Sequence, residues 1–344
     1  MEKSVYVHDV SLRDGSHAIS HKLDKAQIIA YCQAAEAAGV PSVEVGHGNG
    51  IGASSIQVGL SRLEDVEMLT IARENLIKTK LSIHVMPGTA TINKDLKRAF
   101  DIGVDLIREA CHCTEADITE RHIAFARECG KEVIGALMMS HMASKEILLE
   151  EALKMQSYGA EGVVLYDSAG TYLPHDVNEK ISFIVANLNV PVGFHAHNNL
   201  GMAIANSITA VESGARIIDG AIRGFGAGAG NAQLEVLVAV LQKMGYETGI
   251  SLYKILDAAE IAQEKILEEL PTIKNLSIIS GLSGVFSGFA KHVSRVAKEY
   301  KLDPRDIFIE LGRRKVVAGQ EDLIIEVALD LREKNSKINT TTNG

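Results

Sequence analysis

The sequence predicts an α/β protein, a (β/α)8 TIM barrel followed by a C-terminal helical domain. Three observations lead there. Helical stretches alternate with short β-branched runs at about 25–30 residues per unit, the pattern of parallel βαβ units. Helices repeatedly stop at a glycine a few residues before the next run. After Gly224 the alternation ends and the remaining sequence reads as helical. Eight such units close into a barrel more naturally than they extend as a doubly wound sheet, the alternative architecture.

Taken in order, the strands are expected at Ser4–Leu12, Ser42–Val45, Leu81–Met86, Leu106–Glu109, Glu132–Met138, Gly162–Tyr166, Val192–His197 and Arg216–Ile222. Five of them follow a helix-ending glycine: Gly39, Gly103, Gly130, Gly159 and Gly214. The residue just past a helix end often takes the left-handed conformation that a Cβ penalises. At the helix starts, Asp24 precedes Lys25–Ala38, Thr114 precedes Glu115–Cys129, and Ser144 precedes Lys145–Tyr158. Each of these side chains can accept from the free N–H groups of a first turn. Ala232–Met244 reads as the eighth helix and Leu252–Glu269 as one more. The barrel domain is placed at residues 1–265 and the helical domain at 266–344. In the latter, Asp303-Pro304 opens one helix and Gly319-Gln320-Glu321-Asp322 opens another over Leu323–Leu331. Asn335–Gly344 is expected to fray.

Composition narrows the function classes. Of 344 residues, 46% are hydrophobic and 23% charged, enough for a large core. Aromatics are few, so aliphatic side chains carry the packing, as suits helices on parallel strands. A net charge of −9 argues against nucleic acid and acidic membrane as partners. The four cysteines form no CxxC pair, which fits a reduced, cytoplasmic compartment. Neither a signal peptide nor a run of 18 apolar residues is present, so a soluble, unexported protein is expected.

In this fold, chemistry sits at the carboxyl ends of the strands. Two ends are unusually polar: SLRDGSH after the first strand and FHAHNN at the seventh. His195 and His197 are two apart, so both imidazoles leave the same side of the strand. Asp14 would join them from the first strand, two positions round a closed barrel. Two histidines and one carboxylate, with positions left open, describe a catalytic metal site. The set accepts Mn²⁺, Mg²⁺, Fe²⁺, Co²⁺ or Zn²⁺. Arg13 beside it suits a substrate carboxylate or a developing enolate, and His17 suits proton transfer near neutrality. Glu44 at the second strand end can pair with Arg13. Ser168 can donate to a substrate carboxylate.

Other motifs read more modestly. Adjacent ligands in Cys111-His112-Cys113 would point to alternate faces, so packing is the expected role. The Gly224–Gly230 loop contains GxGxxA but follows the eighth strand candidate, so close backbone approach to a small ligand is expected rather than a dinucleotide. No strand end carries the lysine of a Schiff-base aldolase, and neither a GxSxG elbow nor a P-loop occurs.

The segments LRDGSHA, EVGHGNG, CHCTEAD, LMMSHM, FHAHNNL, GAGAGNAQLEV and ELGRRKVVAGQED closely resemble the 4-hydroxy-2-oxovalerate aldolases of the DRE-TIM metallolyase superfamily, from about Val5 to Leu331. RDG with HxH marks the superfamily; GSHA, MMSHM and ELGRRKVVAGQED mark this branch. The resemblance implies a lyase that cleaves a short 4-hydroxy-2-oxo acid to pyruvate and an aldehyde, as in aromatic hydrocarbons catabolism. It implies Asp14, His195 and His197 as ligands, usually to Mn²⁺, with Mg²⁺ or Co²⁺ as alternatives. It implies Arg13 as enolate stabiliser, His17 as base, and Arg13, Asp14, Ser168, His195 and Phe286 around the substrate. An acylating aldehyde dehydrogenase is the implied partner, docking on the C-terminal helices.

The family's GVYSSF reads GVFSGF here, so Phe286 lacks the tyrosine hydroxyl, and Asp167-Ser168-Ala169-Gly170-Thr171 replaces DSGGA. Relaxed choice between C4 enantiomers is therefore expected. Rival readings are a Claisen-type acyl-CoA/2-oxo acid synthase of the same superfamily and a non-catalytic barrel subunit.

Overall fold

In the computed structural model, which describes residues 3–317 and 319–341, eight parallel strands close into a barrel in the order of the chain. They are β1 (Tyr6–Leu12), β2 (Ser42–Val45), β3 (Lys80–Val85), β4 (Leu106–His112), β5 (Glu132–Met138), β6 (Gly162–Asp167), β7 (Val192–Ala196) and β8 (Ile217–Gly220). Closure comes from β1 pairing with both β2 and β8, Tyr6 opposite Ile217 and His8 opposite Ser42.

Eight helices form the outer ring: α1 (Lys25–Ala38), α2 (Asp65–Asn75), α3 (Lys97–Ile102), α4 (Glu120–Glu128), α5 (Lys145–Tyr158), α6 (Pro174–Asn187), α7 (Ala203–Glu212) and α8 (Leu234–Lys243). A ninth, α9 (Leu252–Lys265), packs along α1. Asp24 caps α1 in a reciprocal box with Gln27, and the helix stops at left-handed Gly39. Ser144 caps α5 through the N–H of Ile147.

Several boundaries differ from expectation for local reasons. A 3₁₀ turn over Ala116–Thr119 precedes α4, and Thr114 bonds the His112 ring at 2.9 Å instead of capping. The eighth strand stops at Gly220 because Ile222–Gly224 forms a tight turn, with Arg223 at φ 52°.

Two apolar cores divide the chain. One fills the space between strands and helices from Val5 to Ile266. The other joins α10 (Asn275–Ser283), α11 (Ala290–Tyr300), α12 (Pro304–Arg313) and α13 (Leu323–Thr341) around Phe289, Phe308 and Leu311. The last helix runs on to Thr341 rather than ending at Leu331, since neither glycine nor proline interrupts 332–341. Residues 342–344, part of the segment expected to fray, lie outside the described residues. Among the described residues no helix is long and apolar enough to cross a membrane.

A smaller cluster fills the barrel bore, built from alternate inward positions such as Leu106, Ala136, Val164 and Ile217. Above it the bore turns polar, and there the site lies.

Candidate metal centre and active site

Strand alternation decides which side chains reach the bore. On β4, β6, β7 and β8 inward positions hold Arg108, Tyr166, His195 and Asp219, all buried. The polypeptide then turns sharply after β1, and a 3₁₀ turn over Asp14–His17 swings the Asp14 carboxylate toward β7.

Asp14, His195 and His197 are all buried, with their ligand atoms within 4.8 Å of one another. Among the described residues this is the group of His, Cys, Asp and Glu side chains that could hold an ion. His195 Nδ1 donates to Asp219 Oδ2 at 3.0 Å, which leaves the Nε2 lone pair facing His197 Nε2 at 3.3 Å. His197 Nδ1 is buried without a partner. Two imidazole nitrogens this close beside a carboxylate suit a shared cation, so the donor set fits a divalent metal.

The electrostatics agree. Burial alone would raise the Asp14 carboxyl, but His197 and Arg13 hold it well below the usual carboxylate range. Burial pushes His197 down to about 4, keeping it in the neutral form a metal ligand needs. Asp14 Oδ2 also accepts from Asn231 Nδ2 at 2.6 Å and from Ala227 N at 3.3 Å.

The Gly224–Gly230 loop thus closes on the Asp14 carboxylate. Its glycines permit that approach: a Cβ on Gly226 would lie 2.5 Å from Asp14 Oδ2.

Arg13 is pinned on two sides. Its Nε donates to Glu44 Oε1 at 2.5 Å, and its Nη1 donates to Asp14 Oδ1 at 2.9 Å and to the Gly48 carbonyl at 3.2 Å. Nη2 is left without a partner. Burial opposes the charge on Glu44, yet Arg13 and His8 hold its carboxyl well below the ordinary value. Glu44 in turn meets His8 at 3.2 Å.

A cavity of about 720 Å³ opens above these groups, lined by Arg13, Asp14, His17, Ser168, His195, His197 and Phe286 among others. His17 is partly buried, 4.9 Å from His21 in an edge-to-face arrangement. Burial lowers its imidazole below the ordinary value, with Asp14 pulling the other way. Ser168 Oγ accepts from Met139 N at 3.0 Å and keeps its own proton free for a ligand.

Phe286 arrives from the helical domain, whose 284–289 segment is bolted to the barrel mouth. His141 Nε2 donates to the Gly284 carbonyl at 2.9 Å, Asn199 Nδ2 to Ser287 Oγ at 2.7 Å, and Ser287 Oγ to the Ser168 carbonyl at 3.2 Å. Cys111 and Cys113 are buried in packing, Cys113 Sγ donating to the Met139 carbonyl at 3.3 Å.

Sequence reasoning missed Asn231, Asp219 and Arg108. Arg108 grips Asp219 with two hydrogen bonds, 3.0 and 2.9 Å, and so orients the carboxylate that holds His195. The available signal was charge within otherwise apolar strands, Arg108 in LIREA and Asp219 in RIIDG.

Comparison with known proteins adds family context. Residues 4–262 match the HMGL-like family model, and residues 271–333 match that of the DmpG-like communication domain. The chain is 63% identical to a 4-hydroxy-2-oxovalerate aldolase of Pectobacterium atrosepticum, covering 97% of this chain and 98% of that protein. It is 60% identical to a 4-hydroxy-2-oxovalerate aldolase of Spirochaeta aurantia, with the same coverage of each. The carboxyl transferase domain of Rhizobium etli pyruvate carboxylase shares the fold at TM-score 0.80 and 16% identity, covering 97% of this chain and 61% of that one.

Proposed function

The chain belongs to the HMGL-like family and, within it, to the 4-hydroxy-2-oxovalerate aldolases, and from that premise we infer a class II pyruvate aldolase. It is a carbon–carbon lyase that cleaves 4-hydroxy-2-oxovalerate, or a close 4-hydroxy-2-oxo acid, to pyruvate and an aldehyde. The observation that carries this reading is the convergence of Asp14, His195 and His197 on one point at the cavity floor.

Asp14, His195 and His197 would hold a divalent cation, which would supply Lewis acidity to the site. Mn²⁺ is our assignment, supported by the mixed imidazole and carboxylate donors; Mg²⁺ and Co²⁺ are the alternatives. His17, neutral and on the cavity wall, takes the proton of the C4 hydroxyl. As that O–H pair becomes the aldehyde C=O bond, the C3–C4 bond breaks and its electrons pass into the C2–C3 enolate.

Arg13 holds the enolate oxygen through its free Nη2, positioned by Glu44. A proton delivered to C3 then yields pyruvate. Ser168 Oγ donates to the substrate carboxylate, and Phe286 offers an apolar wall where no hydroxyl ranks the two C4 configurations.

Residues 266–344 are our assignment for the domain that docks an acylating aldehyde dehydrogenase, supported by the communication-domain match over 271–333. Unpaired cysteines support a cytoplasmic setting.

The test is cleavage of 4-hydroxy-2-oxovalerate by metal-stripped protein with Mn²⁺ added back. Pyruvate and acetaldehyde should appear in equal amounts and only with the ion. Undiminished cleavage under thorough chelation would overturn the metal-based reading. Release of free CoA from an acyl-CoA and a 2-oxo acid, without pyruvate formation, would favour the synthase.

A further inference from the structure

His84 stands inward near the end of β3, 2% exposed, and lines the cavity. It belongs to none of the roles above. Its carbonyl is tied to Ile51 N at 3.0 Å, so the backbone is fixed. Its ring lies nearly parallel to Tyr166 at 6.1 Å, and Tyr166 stacks on His195 at 4.4 Å, so three flat rings pave the cavity floor outward from the metal ligands.

Nδ1 of His84 is sealed from solvent without any partner. Nε2 likewise has no protein partner among the described residues, and it is not sealed in that way. Sealing a lone pair costs less than sealing an N–H. The proton therefore belongs on Nε2, giving a donor with nothing in the protein to donate to. Burial and the neighbouring Arg13 hold the imidazole down at about 3, so it is neutral across the working range.

We propose that His84 is a specificity residue whose Nε2–H binds an oxygen or nitrogen lone pair on the aldehyde half of the substrate. The physiological substrate is then a 4-hydroxy-2-oxo acid bearing an acceptor beyond C4, released as a hydroxylated or otherwise acceptor-bearing aldehyde. A methyl group at that place, as in 4-hydroxy-2-oxovalerate, leaves the donor unpaired. Unpaired buried donors are what let a polar site discriminate strongly against an analogue lacking the acceptor. The cavity volume of about 720 Å³ leaves room for the larger aldehyde. This inference rests on the aldolase reading.

The test compares kcat/KM for 4,5-dihydroxy-2-oxopentanoate and 4-hydroxy-2-oxopentanoate with the Mn²⁺-loaded protein. The native chain should prefer the dihydroxy acid by at least about 10-fold. His84→Leu should abolish or reverse that preference, and His84→Asn, which keeps a donor, should retain part of it. Equal use of both substrates by the native chain overturns the role of His84 while leaving the aldolase reading intact. So does a preference that His84→Leu leaves unchanged. Failure to cleave either acid overturns both.

Discussion

Arg13 combines three fixed hydrogen bonds with one nitrogen left unengaged, which is how a buried guanidinium is held ready for a ligand. Lysine keeps the charge but lacks the planar fork. Arg13→Lys is expected to lower kcat on the order of 10²–10³-fold, as loss of one positioned donor to an enolate does, with metal content unchanged. Steady-state kinetics beside metal analysis checks both halves.

A different residue sets a pH dependence of stability. Glu109 faces His122 at 3.0 Å behind β4, and burial pushes its carboxyl up to about 7 from an ordinary 4.5. Between those values the unfolded chain sheds the proton that the folded chain keeps, so stability falls as pH rises through that window. His122 is raised too, which adds in the same direction. Glu109→Gln should lose this slope: relative to the variant, the native melting temperature should decline from pH 4.5 to 7. Parallel curves would refute it.

At this scale Asp14, His195 and His197 were legible because strand-end histidines two apart have one geometric meaning. Asp219 and Arg108 were not, because a charge in a strand does not by itself reveal whether it points inward.

Capping chemistry made α1 and α5 readable, since Asp24 and Ser144 each sit one residue before their helix and bond its first turn. Thr114 had the same local signature, but its hydroxyl pairs with the His112 ring and a 3₁₀ turn over Ala116–Thr119 separates it from α4. The loop after β8 was legible only in part. Small residues announce a close approach without naming what approaches, and here it is the Asp14 carboxylate.

Gly226→Ala tests that assignment, because the added methyl would intrude on both Asp14 and Asn231. The variant should fold to a similar circular dichroism spectrum yet bind Mn²⁺ at least about 10-fold more weakly, the scale seen when groups supporting a ligand are disturbed. Isothermal titration measures it, and native affinity would show that the loop tolerates the methyl without moving the carboxylate.

For the whole molecule, periodicity and glycine punctuation sufficed for the barrel, its strand order following from right-handed βαβ connections. The seating of the helical domain was not legible from this pattern. It depends on Asn199 meeting Ser287 and His141 meeting Gly284, each across more than eighty positions of sequence, pairings no local pattern encodes. An ion held jointly by Asp14 after β1 and by His195 and His197 at β7 would tie distant parts of the barrel together, so its binding should stabilise the entire fold. At a free Mn²⁺ concentration 100 times the Kd, the gain is about 2.7 kcal/mol, seen as a rise in melting temperature over the chelated protein. Identical melts with and without the ion would mean that it does not select the closed barrel.

Asp14 leaves the ribosome early, and His197 follows only after more than half of the polypeptide has been made. An ion held by Asp14, His195 and His197 would therefore have no complete binding site on a nascent chain that ends before His197. Loading would then belong to the interval after most of the barrel has been synthesised.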